Sequence, residues 1–181
     1  MALWGNTDAD EAKPKNFTTV QKQDVFATDR GWVKLNGKGL EEVVVAIGGL
    51  STSLAGADIN TAAFKTTSFD ESAGGNIDIT LTFNEKVTVA GGPPTITVTN
   101  DQAGSGTDAT FTAAYQSGSG TNKLTFRKTY AAANGGVAED DVLSIGAQNI
   151  ALAGGTIKDT GTTVNSGVAV PAGTGTLTAV A

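Results

Sequence analysis

Three consecutive acids, Glu139-Asp140-Asp141, form the densest cluster of potentially reactive side chains in the chain. Oxygen-rich clusters suit calcium, which takes several carboxylate and carbonyl ligands. EF-hand spacing is lacking, and the cluster runs directly into Val142-Leu143-Ser144-Ile145, so the favoured reading is a solvated turn before a strand. Asp70 and Glu71 are the residue types of a glycosidase. That chemistry needs two carboxyls held at a fixed separation across a cleft, one with a raised pKa. Adjacent acids on a strand or turn do not create such a cleft, and no catalytic residue is expected. The glycine-rich stretches contain no G-x-x-x-x-G-K-[ST] and no glycine motif between a parallel strand and a helix, so they read as hairpin tips rather than a nucleotide site.

Composition narrows the chemistry further. The chain has 181 residues with no histidine and no cysteine. The commonest general base, Ser-His-Asp and Cys-His sites, zinc sites of the Cys/His kind and disulfides are therefore all excluded. Net charge is −6 and no Lys/Arg-rich run occurs, which disfavours nucleic acid as a partner. The longest apolar stretch, Val43 to Leu50, is too short to span a bilayer and contains Gly48-Gly49. The opening Met-Ala-Leu-Trp lacks a basic segment followed by a long apolar one, so no secretory signal is read there. A structural or binding protein without cofactor or metal is the expectation.

The elements that must carry these residues are strands. Asn76-Ile77-Asp78-Ile79-Thr80-Leu81-Thr82-Phe83 alternates strictly, with Ile77, Ile79, Leu81 and Phe83 on a core face and Asp78, Thr80 and Thr82 on a water face. The same period of two places Phe111, Ala113 and Tyr115 on one face, Leu124 and Phe126 on another, and Ile96 and Val98 inward after Pro93-Pro94. Strands are predicted near 61–69, 76–83, 94–99, 109–116, 122–129, 141–145, 148–152 and 174–180. Tips fall at Gly104-Ser105-Gly106, Gly118-Ser119-Gly120 and Asn134-Gly135-Gly136. Short, regularly spaced strands with turn signals indicate a single antiparallel β-sandwich over residues 58–181.

The first 57 residues read differently. Residues 1 to about 22 look extended and polar, with Trp4 and Phe17 as isolated aromatics. Those two either fold back onto the chain's own core or anchor in a neighbouring subunit, since aromatics are frequent interface anchors. A small β unit follows: Asp24–Thr28, then Trp32–Leu35 after the Asp29-Arg30-Gly31 turn, then Leu40–Ile47 after Asn36-Gly37. The run Val43-Val44-Val45 favours strand because β-branched side chains suit a pleated surface. Leu50 to Asp58 reads as a linker or a short turn of helix. The fold class is thus all-β, a small N-terminal β region with an extended arm followed by an immunoglobulin-like sandwich.

Two resemblances add to this. The run Ile79-Thr80-Leu81-Thr82-Phe83-Asn84-Glu85-Lys86-Val87-Thr88-Val89, with Pro94–Val98, Tyr115–Phe126 and Leu152–Asp159, resembles the bacterial immunoglobulin-like repeats of surface adhesins. That family implies a spacer or adhesive module. Leu3–Lys15, with Val25-Phe26-Ala27-Thr28 and Gly31-Trp32-Val33, resembles small virion structural proteins of marine tailed bacteriophages, cyanophages in particular. The second resemblance implies a non-enzymatic virion protein assembled in the host cytoplasm. It further implies a capsid decoration, or cement, protein that bridges capsid subunits and projects the sandwich, with a neck, tail or fibre-associated protein as the alternative. A cell-surface carbohydrate-adhesion module is the rival of another class. The implied partners are the major capsid protein or other virion proteins and sister copies of the chain, with weak host-surface contacts and neither nucleic acid nor membrane. Leu3, Trp4, Pro14, Phe17 and Trp32 are the expected interaction residues.

Overall fold

The computed structural model describes Lys13 and residues 17–28, 30–47, 56–133, 135–160 and 163–181. Leu3, Trp4 and Pro14 lie outside the described residues. The described residues are all-β apart from one short helix, α1 (Thr19–Asp24). That helix corrects the extended reading of residues 19–22. Its cause is local: the Thr18 side chain accepts from the Gln21 N–H at 3.2 Å, while the Gln21 side chain accepts from the Thr18 N–H at 2.9 Å. This capping box satisfies two amides that a helix start leaves without intrahelical partners. The β-branched Val25 then returns the backbone to an extended conformation.

Strands β1 (Val25–Thr28), β2 (Gly31–Leu35) and β3 (Glu41–Ala46) follow as an antiparallel sheet in that order. Its hairpins lie where the Gly31 and Asn36-Gly37 signals put them. Trp32 faces Val45 and Val33 faces Val43, so Val44 is an extra residue, a β-bulge in β3.

The larger sheet is built from β4 (Ile59–Phe64), β5 (Phe69–Asp70), β6 (Gly75–Ala90), β7 (Thr95–Asn100), β8 (Thr110–Ser117), β9 (Thr121–Tyr130), β10 (Val142–Ser144), β12 (Thr156–Asp159) and β14 (Leu177–Val180). The short pair β11 (Gln148–Asn149) and β13 (Ala169–Val170) lies beside it. β6 is its axis. One edge of β6 carries β4 and β12 end to end, and the other pairs with β9, from which β8, β7, β10, β14 and β5 follow in turn. Among the described strands every strand pairing is antiparallel except that of β14 with β5, and the isolated bridge between Ala63 and Thr174 is also parallel. The Thr174 N–H donates to the Ala62 carbonyl at 2.9 Å, joining the lead-in of β14 to β4. The sheet therefore curls until its ends meet, giving a sandwich-like body around one core.

That core is the one the alternation predicts. Ile77, Ile79, Leu81, Phe83, Ile96, Val98, Ala113, Leu124 and Phe126 are all buried in it. Burying each large aliphatic or aromatic side chain contributes about 1.5–3 kcal/mol. Three differences from the sequence reading stand out. β6 runs on to Ala90, β12 and β13 are additional strands, and the predicted strand 61–69 divides into β4 and β5. The expected water face of β6 is also partly covered. Asp78 and Thr82 are buried, Asp78 by a two-point pairing with Arg127 whose Nε and an Nη donate at 2.6 and 2.8 Å.

Candidate interaction surface

The N-terminal sheet has two faces with different roles. Phe26 and Val33 are buried on the face toward the sandwich, where β1 packs against β6. There the Lys86 ammonium lies 6.0 Å from the centre of the Phe26 ring and pairs with Glu41. Glu41 also pairs with Arg30. The hydrogen bond from Lys86, reinforced by both cationic charges, holds the Glu41 carboxyl below its usual range. Asp24 at the end of α1 adds a further tie, 3.3 Å from Lys123 of β9.

The opposite face holds a small core of its own. Val25, Ala27 and Trp32 are its buried residues, with Phe17, Val45 and Ile47 half-buried around them. This cluster is separate from the sandwich core, whereas Ala57, at the end of the segment read as N-terminal, is buried inside the sandwich core. Between α1 and the sheet lies an open cavity of about 180 Å³ lined by Phe17, Gln21, Asp24, Val25, Lys34 and Val44. Its floor is apolar and its rim carries one acid, one base and one amide. Leu40, before β3, and Val43, on the face of β3 that carries Val33 in β2, are exposed. Among the described residues, β3 pairs with β2 alone. Exposed apolar groups beside an unpaired strand edge are the features by which β proteins recruit partners.

Phe17 and Trp32 are thus brought together, but in unequal roles. Phe17 packs onto the chain's own small core while still lining the cavity. Trp32 has none of its surface exposed, so it cannot act as the direct anchor expected of it; it supports the seat of Phe17 instead. Its indole Nε1 is buried without a hydrogen-bond partner. Leu40, Lys34, Glu42 and Val44 were not singled out from the sequence as interaction residues. The available signal was the Val43-Val44-Val45 run, since three successive apolar residues on a strand must turn at least one outward.

The acidic groups serve the fold. Asp141 is fully buried and is not part of a solvated turn. Its carboxylate accepts from the amides of Ala138 (2.8 Å), Gly104 (2.8 Å) and Gly106 (3.4 Å) and from Asn100 Nδ2 (2.7 Å). Burial pushes its pKa up, but these donors outweigh it and hold the carboxyl below its usual range. The turn glycines near it are therefore packing requirements as well as tips: a Cβ on Gly104 would lie 1.5 Å from the Glu139 carbonyl oxygen. Glu139 and Asp140 are exposed. Asp70 accepts from Ser72 Oγ at 2.7 Å and from the Ala73 amide at 3.0 Å, closing a turn. Among the described residues no group of three His, Cys, Asp or Glu side chains is placed to hold a metal ion. No described helix is long and apolar enough to cross a membrane. The chain matches no protein-family model, no curated protein and no solved structure.

Proposed function

We propose that this chain is a non-enzymatic structural protein of a tailed-phage virion, a capsid decoration protein whose N-terminal unit attaches to the particle while the sandwich projects from it. The observation that carries this reading is the division of labour along the chain. Residues 58–181 enclose their own core and engage Asp70, Asp78 and Asp141 in structural hydrogen bonds. The N-terminal unit instead has a cavity lined by Phe17, Val25 and Val44, and it carries the exposed aliphatic side chains Leu40 and Val43 on and beside β3, a strand that among the described residues pairs on one edge alone. Charge follows the same division. Residues 1–57 contain six Lys/Arg against seven Asp/Glu, whereas residues 58–181 contain six against eleven. A near-neutral attachment end and an acidic projecting end suit many copies on one shell, because the projecting domains repel one another and stay apart. Attachment would stabilise the assembled shell by mass action, each bound copy favouring the state that binds it.

The deciding experiment is electron cryo-microscopy of virions carrying a density label at the C-terminus. Label distributed over the head supports a decoration protein. Label confined to the neck or tail replaces it with a tail-associated one, and absence from every particle discards the virion reading in favour of a free adhesion module. A companion variant, Trp4→Ala with Phe17→Ala, is expected to reduce incorporation into particles while leaving the sandwich folded.

A further inference from the structure

We infer that Asn36-Gly37, at the tip of the β2–β3 hairpin, is a self-modifying site: in the folded chain the Gly37 amide nitrogen attacks the Asn36 side-chain carbonyl, and the linkage ends as aspartate or isoaspartate. The reaction needs water and no enzyme. It does not rest on the virion reading, since it belongs to the chain in free solution.

Three observations meet at this tip. The first is the placement of the Asn36 side chain. Its Oδ1 accepts from the Lys38 and Leu40 amides, both at 3.0 Å. The bond from Lys38 closes an Asx turn, which bends the side-chain carbonyl back across the intervening peptide, whose nitrogen belongs to Gly37. The backbone around it is fixed as well. The Asn36 amide donates to the Leu40 carbonyl at 2.8 Å, and the Gly39 amide donates to the Asn36 carbonyl at 2.9 Å. Holding the two reacting groups in one turn lowers the entropy that must be lost when they meet. The second is the direction of the donors. As the nitrogen adds to Cγ, negative charge gathers on Oδ1, where two N–H groups already point. The third is what the tip leaves uncommitted. Asn36 and Gly37 are exposed, and neither the Gly37 N–H nor Asn36 Nδ2 has an acceptor among the described residues. The proton to be removed and the group that leaves are both open to solvent. Gly37 has no side chain to obstruct the approach.

The steps balance with water alone. Hydroxide takes the Gly37 amide proton, the nitrogen bonds to Asn36 Cγ, and the Cγ–Nδ2 bond breaks. The departing nitrogen takes a proton from water, leaving as ammonia and restoring hydroxide. Water then opens the cyclic imide. Cleavage of the new N–Cγ bond leaves an aspartate, and cleavage of the original peptide bond leaves an isoaspartate. Either product adds negative charge to the tip, beside Lys38 and the exposed Leu40. Isoaspartate also lengthens the backbone there by a methylene.

The test is incubation of the full chain in mildly alkaline buffer made with heavy-oxygen water, followed by peptide mapping with electron-transfer fragmentation. Heavy oxygen in the new carboxyl marks conversion that took place during the incubation, and the fragments separate aspartate from isoaspartate. Asn36 in the native chain is expected to convert at least as fast as in the same chain unfolded in guanidinium chloride, because the turn supplies a geometry that the unfolded chain must find by chance. Gly37→Ala should slow native conversion about tenfold or more, by moving and shielding the attacking nitrogen. That variant is expected to keep its near-ultraviolet circular dichroism, because the φ of Gly37 lies outside the left-handed region and a Cβ there meets nothing within 4 Å. Native conversion slower than that of the unfolded chain overturns the inference. So does a folded Gly37→Ala variant that converts like the wild type.

Discussion

The side-chain amide of Gln148 reads both backbone groups of Thr97: the Thr97 N–H donates to Gln148 Oε1, and Gln148 Nε2 donates to the Thr97 carbonyl, each at 2.7 Å. One residue thereby acts as a short strand on the edge of β7, between the Ala151 backbone that pairs with Thr95 and the Ser144 that faces Thr99. Gln148→Ala should lower stability by about 1–2 kcal/mol, since two partly exposed hydrogen bonds revert to water. The denaturant midpoint measures this. Gln148→Glu should fall by as much as the alanine variant at neutral pH, because a carboxylate keeps the acceptor but sets an oxygen against the Thr97 carbonyl.

Asp141 ties the loop 100–106 to the turn 138–141. In Asp141→Asn an NH2 group replaces one oxygen and confronts amide donors that now lack an acceptor. A loss of about 2–4 kcal/mol is expected, because buried donors are left unsatisfied. Urea unfolding compared with Glu139→Gln, an exposed neighbour expected to change little, isolates the effect of burial.

Acid should unfold the protein, and neutral pH changes should not. Asp141, Asp78 and Glu41 all have folded pKa values below their usual range, Asp78 chiefly through the hydrogen bonds from Arg127. Stability from these groups is fully present above the unfolded carboxylate range, about pH 4–4.5. It is lost as pH falls through the lower folded values. With no histidine in the chain, no side chain has an ordinary pKa between about 5 and 8. The urea midpoint is expected to be flat across that interval and to drop below about pH 4, and Asp141→Asn should shallow the acid limb. A midpoint that shifts markedly between pH 6 and 8 would contradict this account.

Two turn glycines should differ in their tolerance. A Cβ on Gly104 meets the Glu139 backbone at 1.5 Å, and only movement of the Asp141 turn could relieve it. Gly104→Ala is expected to cost upwards of about 3 kcal/mol. Gly120, at the β8–β9 tip, has φ +84° and open space around it. There alanine should cost about 1–2 kcal/mol, the ordinary strain of a left-handed conformation. Thermal unfolding of both variants distinguishes steric overlap from backbone strain.

Trp32 offers a similar contrast inside the N-terminal unit. Trp32→Phe removes a buried N–H that has no partner, which offsets part of the lost packing, so a change within about 1.5 kcal/mol is expected. Trp32→Ala empties the centre of a very small core and should cost about 3–5 kcal/mol. Hydrogen exchange localises that loss to β1–β3 if the sandwich keeps its own core.

Much of the fold was legible in local pattern. The alternation of Ile77, Ile79, Leu81 and Phe83 designates a core face, and Asn36-Gly37 marks the β2–β3 turn, because both depend on near neighbours along the chain. The absence of histidine and cysteine likewise removes whole classes of chemistry before any folding is considered. Other features arise only from residues far apart. Asp78 and Thr82 carry the pattern of a water face, yet Arg127 on β9 covers Asp78 and both side chains are buried. Asp141 resembles a solvated turn acid until Asn100, Gly104 and Gly106 close over it. Trp32 has the residue type of an interface anchor, and β1 together with Phe17 encloses it. A two-residue period reports which side chains share a face. It carries no information about what is laid on that face, and the burial of a polar group, the close approach at a glycine and the opening of a cavity are all decided by that second, tertiary contact.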